Sequence, residues 1–97
     1  MIGKKIQVIG VAYKPNVADV RETPAKMVID SLNNEGALVS WHDPLVEIWN
    51  KETSSPLGGA DIAVVITMHS IFSKEEIKRS APYVFDTTGK IESVKQL

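Results

Sequence analysis

The residues best suited to chemistry lie in the segment "YKPNVADVRE", residues 13–22. Lys14 follows an apolar run that predicts a strand, and Arg21 comes just before Thr23-Pro24, which predicts the start of a helix. A helix N-terminus offers free amide donors and partial positive charge, lysine adds a point charge, and arginine can hold a phosphate or carboxylate through two hydrogen bonds. The spacing therefore predicts an anion-binding rim formed by Lys14 and Arg21.

The same loop also allows a purely structural interpretation. Arg21 could pair with Asp19 or Glu22 and stiffen the chain, and spacing alone weighs the two interpretations evenly. Tyr13, an aromatic residue beside Lys14, could stack on a nucleotide base or cover the end of a sheet.

Familiar glycine-rich nucleotide motifs do not explain this loop. Gly10 is followed by no glycine until Gly36, so the dinucleotide and P-loop patterns are absent and side chains must do more of the anion binding. Asp43, after the second predicted strand, is placed like an acid that holds a ribose hydroxyl, but an Asp-Pro turn explains it equally well. His69, after the third predicted strand, is more typical of a packing or helix-entry residue.

Composition excludes several classes of function. The 97 residues include 11 Lys and Arg against 12 Asp and Glu. This net charge of −1 indicates no basic surface of the kind that binds nucleic acid. The chain has no cysteine, so disulfides, thiolate metal sites and a cysteine nucleophile are excluded within it. Its two histidines would need carboxylates from elsewhere to build a metal site. Without a segment typical of a signal peptide or a membrane span, we expect a cytoplasmic protein.

Hydrophobic periodicity predicts alternating strands and helices. Strands are predicted at "KKIQVIGVA", "ALVSWHDP", "ADIAVVITMH" (the central one) and "YVFDTTGK", and helices over residues 24–36 and at "SKEEIKRSA". "LVEIWN" is predicted to form a short helical turn and "KETSSPLGG" a loop. Together these predict an α/β fold: one small Rossmann-like three-layer domain over residues 1–97, with a parallel sheet of about four or five strands. Ligands of such sheets bind beyond the carboxyl ends of the strands.

Several linked motifs resemble one family. "GVAYKPNVADVRETPA" resembles the signature G-x-A-[YF]-K-x-[ND]-x-x-D-x-R-x-[ST]-P of the C-terminal, UDP-binding domain of UDP-glucose/GDP-mannose dehydrogenases. The resemblance continues in order through "IDSLNNEGALVSWHDPLV", "GGADIAVVITMHSIF" and "VFDTTG". Within the family, these motifs most resemble those of bacterial enzymes that act on UDP-N-acetylhexosamines.

The resemblance implies a part of a larger, NAD-dependent UDP-sugar 6-dehydrogenase. Enzymes of this family oxidise the C6 alcohol of the sugar to a carboxylate in two steps, with a catalytic cysteine that lies outside this domain. Their NAD-binding domain and central helical domain would be the partners of this chain, and a homodimer is expected. The chain itself would then hold no catalytic residue and would not be catalytic alone.

The resemblance also implies roles for individual residues. Tyr13 and Lys14 match positions that contact the uridine part of the substrate, Arg21 matches an arginine that reaches the cofactor NAD, and Asp19 would orient the loop. Thr88 stands where the family usually has a substrate-binding arginine, and Lys90 could substitute for it.

The alternative is a stand-alone Rossmann-like regulatory or interaction module without enzymatic activity. A receiver-like module would need an acidic cluster after the first strand, where this chain has "VAYKPN".

Overall fold

The chain folds around a parallel β-sheet of five strands, covered by a helix on each face. The computed structural model describes residues 2–89 and 91, and the backbone of residues 95–96. The elements in chain order are β1 (Lys5–Ile9), α1 (Pro24–Asn34), β2 (Leu38–His42), β3 (Ile48–Trp49), β4 (Glu52–Thr53), β5 (Ile62–Val65), α2 (Lys74–Arg79), β6 (Tyr83–Asp86) and β7 (Lys95–Gln96).

The strand order in the sheet is β2-β1-β5-β6-β7, and every neighbouring pair is parallel. Ile6 of β1 lies opposite Val39 on one side and Ile62 on the other. The chain leaves β1 toward β2 on one side, and β5 continues toward β6 on the other, so the direction of winding switches between β1 and β5. The predicted Rossmann-like α/β fold and the central position of the third predicted strand, β5, are confirmed.

The helix α1 begins at Pro24, as the sequence predicts, and ends at Asn34, two residues before the predicted end. The hydroxyl of Thr23 accepts a hydrogen bond from the Ala25 amide at 3.3 Å, and Pro24 occupies the first turn. After the helix, Gly36 takes a φ of +86°, a conformation that glycine adopts without steric cost. Ala25 and Ile29 are buried against Val8 of β1, so α1 covers that face of the sheet.

The helix α2 covers the opposite face. The hydroxyl of Ser73 accepts from the Glu76 amide at 3.2 Å, the N-cap that the sequence predicts. Ile77 is buried together with Ile9, Val65 and other residues of the sheet. Val8 and Ile9 are consecutive in β1 and point to opposite faces, so one strand contributes to both layers of the core. This confirms the three-layer arrangement.

The segment predicted as a helical turn, together with the first residues of the predicted loop, is a small antiparallel hairpin instead, formed by β3 and β4, whereas residues 54–59 form a loop as predicted. Its two central residues, Asn50 and Lys51, have φ of +55° and +65°, the left-handed pair typical of two-residue hairpin turns. The ring of Trp49 meets Trp41 of β2 edge-on, with 5.7 Å between ring centroids. This contact adds apolar area to the α1 face of the core.

In the chain as far as the structure describes it, no helix combines the length and the apolar character that crossing a bilayer requires.

Candidate functional site

The candidate site lies at the carboxyl edge of the sheet, beside the switch between β1 and β5. Open α/β sheets bind ligands at such a point because the loops after the two strands diverge there and leave a crevice. The loop after β1, residues 10–22, carries the residues singled out by the sequence. We call it the β1 loop, and it lies against the loop that follows β5.

Gly10 is the residue that brings these two loops together. Its φ is +79°, and its amide donates to the carbonyl of His42 at 2.9 Å. A Cβ atom at this position would lie 1.9 Å from the carbonyl oxygen of Thr67, a backbone atom that cannot swing aside. The hydroxyl of Thr67 in turn donates to the carbonyl of Ala12 at 2.7 Å. Gly10 therefore serves close packing between two loops.

The β1 loop folds back on itself. The amide of Tyr13 donates to the carbonyl of Asp19 at 2.6 Å, which brings the two ends of the loop together. Tyr13, Asp19, Arg21 and Glu22 line an open cleft of about 600 Å³. The side chain of Lys14 is exposed, and its charge helps to lower the pKa of the Asp19 carboxyl, so the loop presents an aromatic ring and two cations.

Arg21 and Asp19 form a two-point ion pair. Arg21 Nε donates to Asp19 Oδ1 at 3.0 Å and Nη2 to Oδ2 at 2.8 Å, and the Arg21 amide also donates to Oδ1 at 2.9 Å. These side-chain and backbone hydrogen bonds lower the pKa of Asp19 from its usual 3.8 to about 2, and the pairing raises the pKa of Arg21. The pairing predicted by the structural interpretation therefore exists, yet the Arg21 side chain remains 86% exposed.

Asp43 holds the start of the β1 loop in place. It does not face an open position where a ligand could bind. Its carboxylate is fully buried, and Oδ2 accepts from the amides of Val11 at 2.9 Å and Ala12 at 3.3 Å. The same oxygen accepts from Nε2 of His69 at 2.9 Å, while Oδ1 accepts from the Leu45 amide at 3.0 Å. The structural interpretation of Asp43 is thus the one observed, and it involves far more than an Asp-Pro turn.

Asn16 joins the β1 loop to the loop after β5, a role that sequence reasoning missed. Its amide donates to Nδ1 of His69 at 2.8 Å. Its side chain exchanges two hydrogen bonds with Ser70, from Asn16 Nδ2 to Ser70 Oγ at 2.9 Å and from the Ser70 amide to Asn16 Oδ1 at 2.8 Å. Its φ is +66°, a left-handed conformation in which asparagine is enriched, so the residue type was the available signal.

Comparison with known proteins identifies this arrangement. A sequence model of the UDP-glucose/GDP-mannose dehydrogenase family, UDP binding domain, matches residues 7–93. The chain belongs to this family. It is 37% identical over 99 aligned positions to a UDP-N-acetyl-D-mannosamine dehydrogenase of Methanococcus maripaludis, covering 91% of this chain and 23% of that enzyme. A UDP-glucose 6-dehydrogenase of Rhizobium meliloti is 45% identical over 42 positions, 43% of this chain and 10% of that enzyme.

Solved structures of the UDP-glucose/GDP-mannose dehydrogenase family share the fold. The UDP-N-acetyl-mannosamine dehydrogenase Cap5O from Staphylococcus aureus superposes with a TM-score of 0.73 at 26% identity, over 99% of this chain and 26% of that one. An NDP-N-acetyl-D-galactosaminuronic acid dehydrogenase from Methanosarcina mazei Go1 gives a TM-score of 0.74 at 27% identity, over 88% of this chain and 20% of that one. The chain therefore spans about a quarter of the length of these relatives.

The turn after β6 is held by the buried carboxylate of Asp86. Asp86 is fully buried, and its Oδ1 accepts from the amide of Thr88 at 2.8 Å and from its hydroxyl at 2.6 Å. Asp86 Oδ2 accepts from the Ile91 amide at 2.9 Å. Thr88 thus helps to shape the turn, whereas Lys90, the predicted substitute for the arginine, lies outside the described residues.

Across residues 2–89 and 91, no three histidine, aspartate or glutamate side chains gather in a way that could hold a metal ion. The structure brings Tyr13, Asp19 and Arg21 to one cleft, with Lys14 on the same loop. The ligand contacts assigned to these residues stay predictions.

Proposed function

We propose that this chain is the sugar-nucleotide-binding domain of an NAD-dependent nucleotide-sugar 6-dehydrogenase, which oxidises the C6 alcohol of a UDP-sugar to a uronic acid in two steps. The match to the family's UDP-binding domain over residues 7–93 is the observation that carries the proposal. In this proposal residues 1–97 form a single domain of a larger enzyme, whose NAD-binding and central domains supply the catalytic cysteine.

The proposed substrate is a UDP-sugar, bound in part by Tyr13 and Lys14. Tyr13 is 54% exposed, which leaves its ring free to lie against a uracil base. The exposed ammonium of Lys14, on the next residue, provides a charge that favours the anionic nucleotide. Lys90 is proposed to add a second cation from the turn after β6.

Arg21 is proposed to contact the cofactor NAD, with Asp19 as the residue that orients it. When bound, NAD supplies the acceptor for the hydride. The ion pair with Asp19 occupies Nε and one hydrogen of Nη2, on one edge of the guanidinium. A guanidinium has five N–H donors, so its outer edge can still make two hydrogen bonds to a phosphate. The exposed, braced Arg21 therefore fits an anionic cofactor approaching from another domain.

A homodimer is part of the same proposal. Several large apolar side chains of the described residues are more than half exposed: Ile2, Tyr13, Met27, Leu38, Ile48, Ile71 and Tyr83. In the complete enzyme, contact with other domains or with a second copy would cover part of this area. We expect the chain alone to self-associate, and sedimentation that shows only monomer at high concentration would contradict this.

An NMR titration tests nucleotide binding directly. The isotope-labelled chain is titrated in parallel with UDP, GDP, NAD and inorganic phosphate, and we expect shifts specific to UDP centred on Tyr13 and Lys14. Because only part of the site would be present, the expected Kd is about 1 mM, which corresponds to about 4 kcal/mol. Lys14→Ala should abolish the shifts.

Lys4→Ala is the matched control, because Lys4 is also exposed but precedes β1, at the opposite edge of the sheet. It removes the same charge and should leave UDP binding unchanged. Equal chemical shift changes with all four ligands, or equal effects of Lys14→Ala and Lys4→Ala on UDP binding, would contradict specific binding of uridine by the β1 loop.

A further inference from the structure

The side chain of His69 lies fully buried beneath the β1 loop, with both ring nitrogens engaged. Nδ1 receives the amide proton of Asn16 at 2.8 Å, so it acts as an acceptor and carries no proton. Nε2 faces Asp43 Oδ2 at 2.9 Å and must be the donor to that carboxylate. The hydrogen-bond network thus assigns a single neutral tautomer to His69.

We infer that His69, together with Asp43 and Asn16, positions the residues proposed to contact the nucleotide. This inference rests on the proposed function. The Asp43 carboxylate accepts hydrogen bonds from the amides of Val11 and Ala12, which immediately precede Tyr13. His69 Nδ1 accepts a hydrogen bond from the amide of Asn16, three residues after Tyr13. Only residues 13–15 lie between these two anchor points, and Tyr13 and Lys14 are two of the three.

A histidine suits this position for a specific reason. The buried Asp43 carboxylate takes one of its four hydrogen bonds from His69, and the Asn16 amide donates a part-buried hydrogen bond to the same ring, so loss of the ring costs both bonds. An imidazole offers both functions across one rigid ring. An apolar side chain of the same size would fill the space, but the Asp43 carboxylate would keep only its three backbone donors and the Asn16 amide would lose its acceptor.

His69 is a positioning residue and not a catalytic one. The side chains of His69 and Asp43 are both 0% exposed, so no substrate can reach the pair. The ring contacts Phe72, with 5.3 Å between centroids, and this packing fixes its plane. The exchange of hydrogen bonds between Asn16 and Ser70 adds a second tie between the same two loops. The loop is therefore held in place before a ligand arrives, which lowers the entropy cost of binding.

The test combines a measurement of loop order with one of binding. His69→Phe keeps a planar ring but removes both hydrogen bonds. We expect amide hydrogen exchange at Asn16 to accelerate at least about tenfold and the Kd for UDP to rise about tenfold, as expected for the loss of one buried hydrogen bond. Exchange in α2 and β6 should stay unchanged.

His42→Phe is the matched control. His42 lies at the end of β2, and its ring makes one hydrogen bond, from Nδ1 to the carbonyl of Ser55 at 2.7 Å. Phenylalanine would remove this bond and keep the ring contact with Phe72, with 5.8 Å between centroids, and the backbone bond from Gly10. It should leave exchange at Asn16 as in the unmodified chain. His69→Gln carries an amide oxygen and nitrogen that can replace acceptor and donor, and we expect it to restore part of both losses, as a purely space-filling role would not. Long-range ¹H–¹⁵N spectra of His69 should show the proton on Nε2.

Unchanged exchange at Asn16 in His69→Phe would overturn the inference, as would faster exchange with an unchanged Kd for UDP. If the unmodified chain does not bind UDP, the proposed function fails, while hydrogen exchange still decides whether His69 orders the loop. If His69→Phe does not fold, Asn16→Gly, which removes the side-chain bonds to Ser70 but keeps the amide that donates to His69 and tolerates the same φ, tests the role of Asn16 in the inference: unchanged exchange in residues 13–16 with an unchanged Kd for UDP would overturn it.

Discussion

Replacement of Asp43 by asparagine is the sharpest test of how the edge of the sheet is held together. The Asp43 carboxylate accepts four hydrogen bonds in a fully buried position: three on Oδ2, from Val11, Ala12 and His69, and one on Oδ1, from Leu45. Asparagine has the same shape but only one acceptor oxygen. If that oxygen takes the place of Oδ2, the amide NH₂ must face the Leu45 N–H, donor against donor.

The expected loss follows from these contacts. One hydrogen bond to a charged group, about 1.5–3 kcal/mol, disappears, a buried donor is left unpaired, and the remaining bonds lose their charge. We therefore expect Asp43→Asn to lower the free energy of unfolding by about 3 kcal/mol. At about 4–8 °C per kcal/mol for a domain of this size, Tm should fall by roughly 12–24 °C.

Urea unfolding followed by tryptophan fluorescence measures this loss, since Trp41 is buried in the native state. Asp61→Asn is the control: Asp61 also accepts a backbone amide, from Lys5 at 2.9 Å, but in an exposed position. It should cost less than about 1 kcal/mol. A loss below about 1 kcal/mol in Asp43→Asn, or equal losses in the two variants, would refute the argument that the buried carboxylate organises this edge.

Two further predictions concern the β1 loop. The pKa of Asp19 is lowered to about 2, so its pairing with Arg21 contributes to stability above about pH 4, and this contribution is lost as the pH falls toward 2. NMR titration of the Asp19 carboxyl should give a midpoint at about 2, and Arg21→Ala should move the midpoint back toward 3.8. A midpoint that does not move in Arg21→Ala would exclude the ion pair as the cause. Gly10→Ala should destabilise the fold by about 2–4 kcal/mol in thermal unfolding, because it adds a clash with Thr67 to the cost of a positive φ. Gly89→Ala, at φ +74° with nothing within 4 Å, should show only the backbone cost of about 1 kcal/mol, and equal losses would rule out the clash.

Local patterns in the sequence are sufficient to predict four of the five strands of the sheet and both helices, while β7, with two residues, is too short to show a pattern. The caps at Thr23 and Ser73 and the periodic apolar residues of α1 are short-range signals, and they specify elements whose stability is local. The hairpin of β3 and β4 was missed because each strand has only two residues, too few for a period to show. Its one signal was Asn50 in the turn, a residue that tolerates positive φ.

The buried network at the site could not be predicted in the same way. The partners of Asp43 come from positions 11, 12, 45 and 69, and a strand order is needed before these positions become neighbours. Sequence alone treats Asp43 and His69 separately. It favours a turn residue or a ribose-binding acid at Asp43 and a packing or helix-entry residue at His69, whereas the structure makes each the other's hydrogen-bond partner.

The network also explains why this loop lacks the glycines of common phosphate-binding loops. In those loops free backbone amides bind the phosphate. Here the amides of Val11 and Ala12 already donate to Asp43, that of Tyr13 to a carbonyl within the loop, and that of Asn16 to His69. A backbone whose amides are used to hold its own shape has little left to offer a phosphate. We therefore expect side chains to make most of the contacts to a nucleotide at the proposed site. Removing a single cation, as in Lys14→Ala, should accordingly be enough to abolish binding.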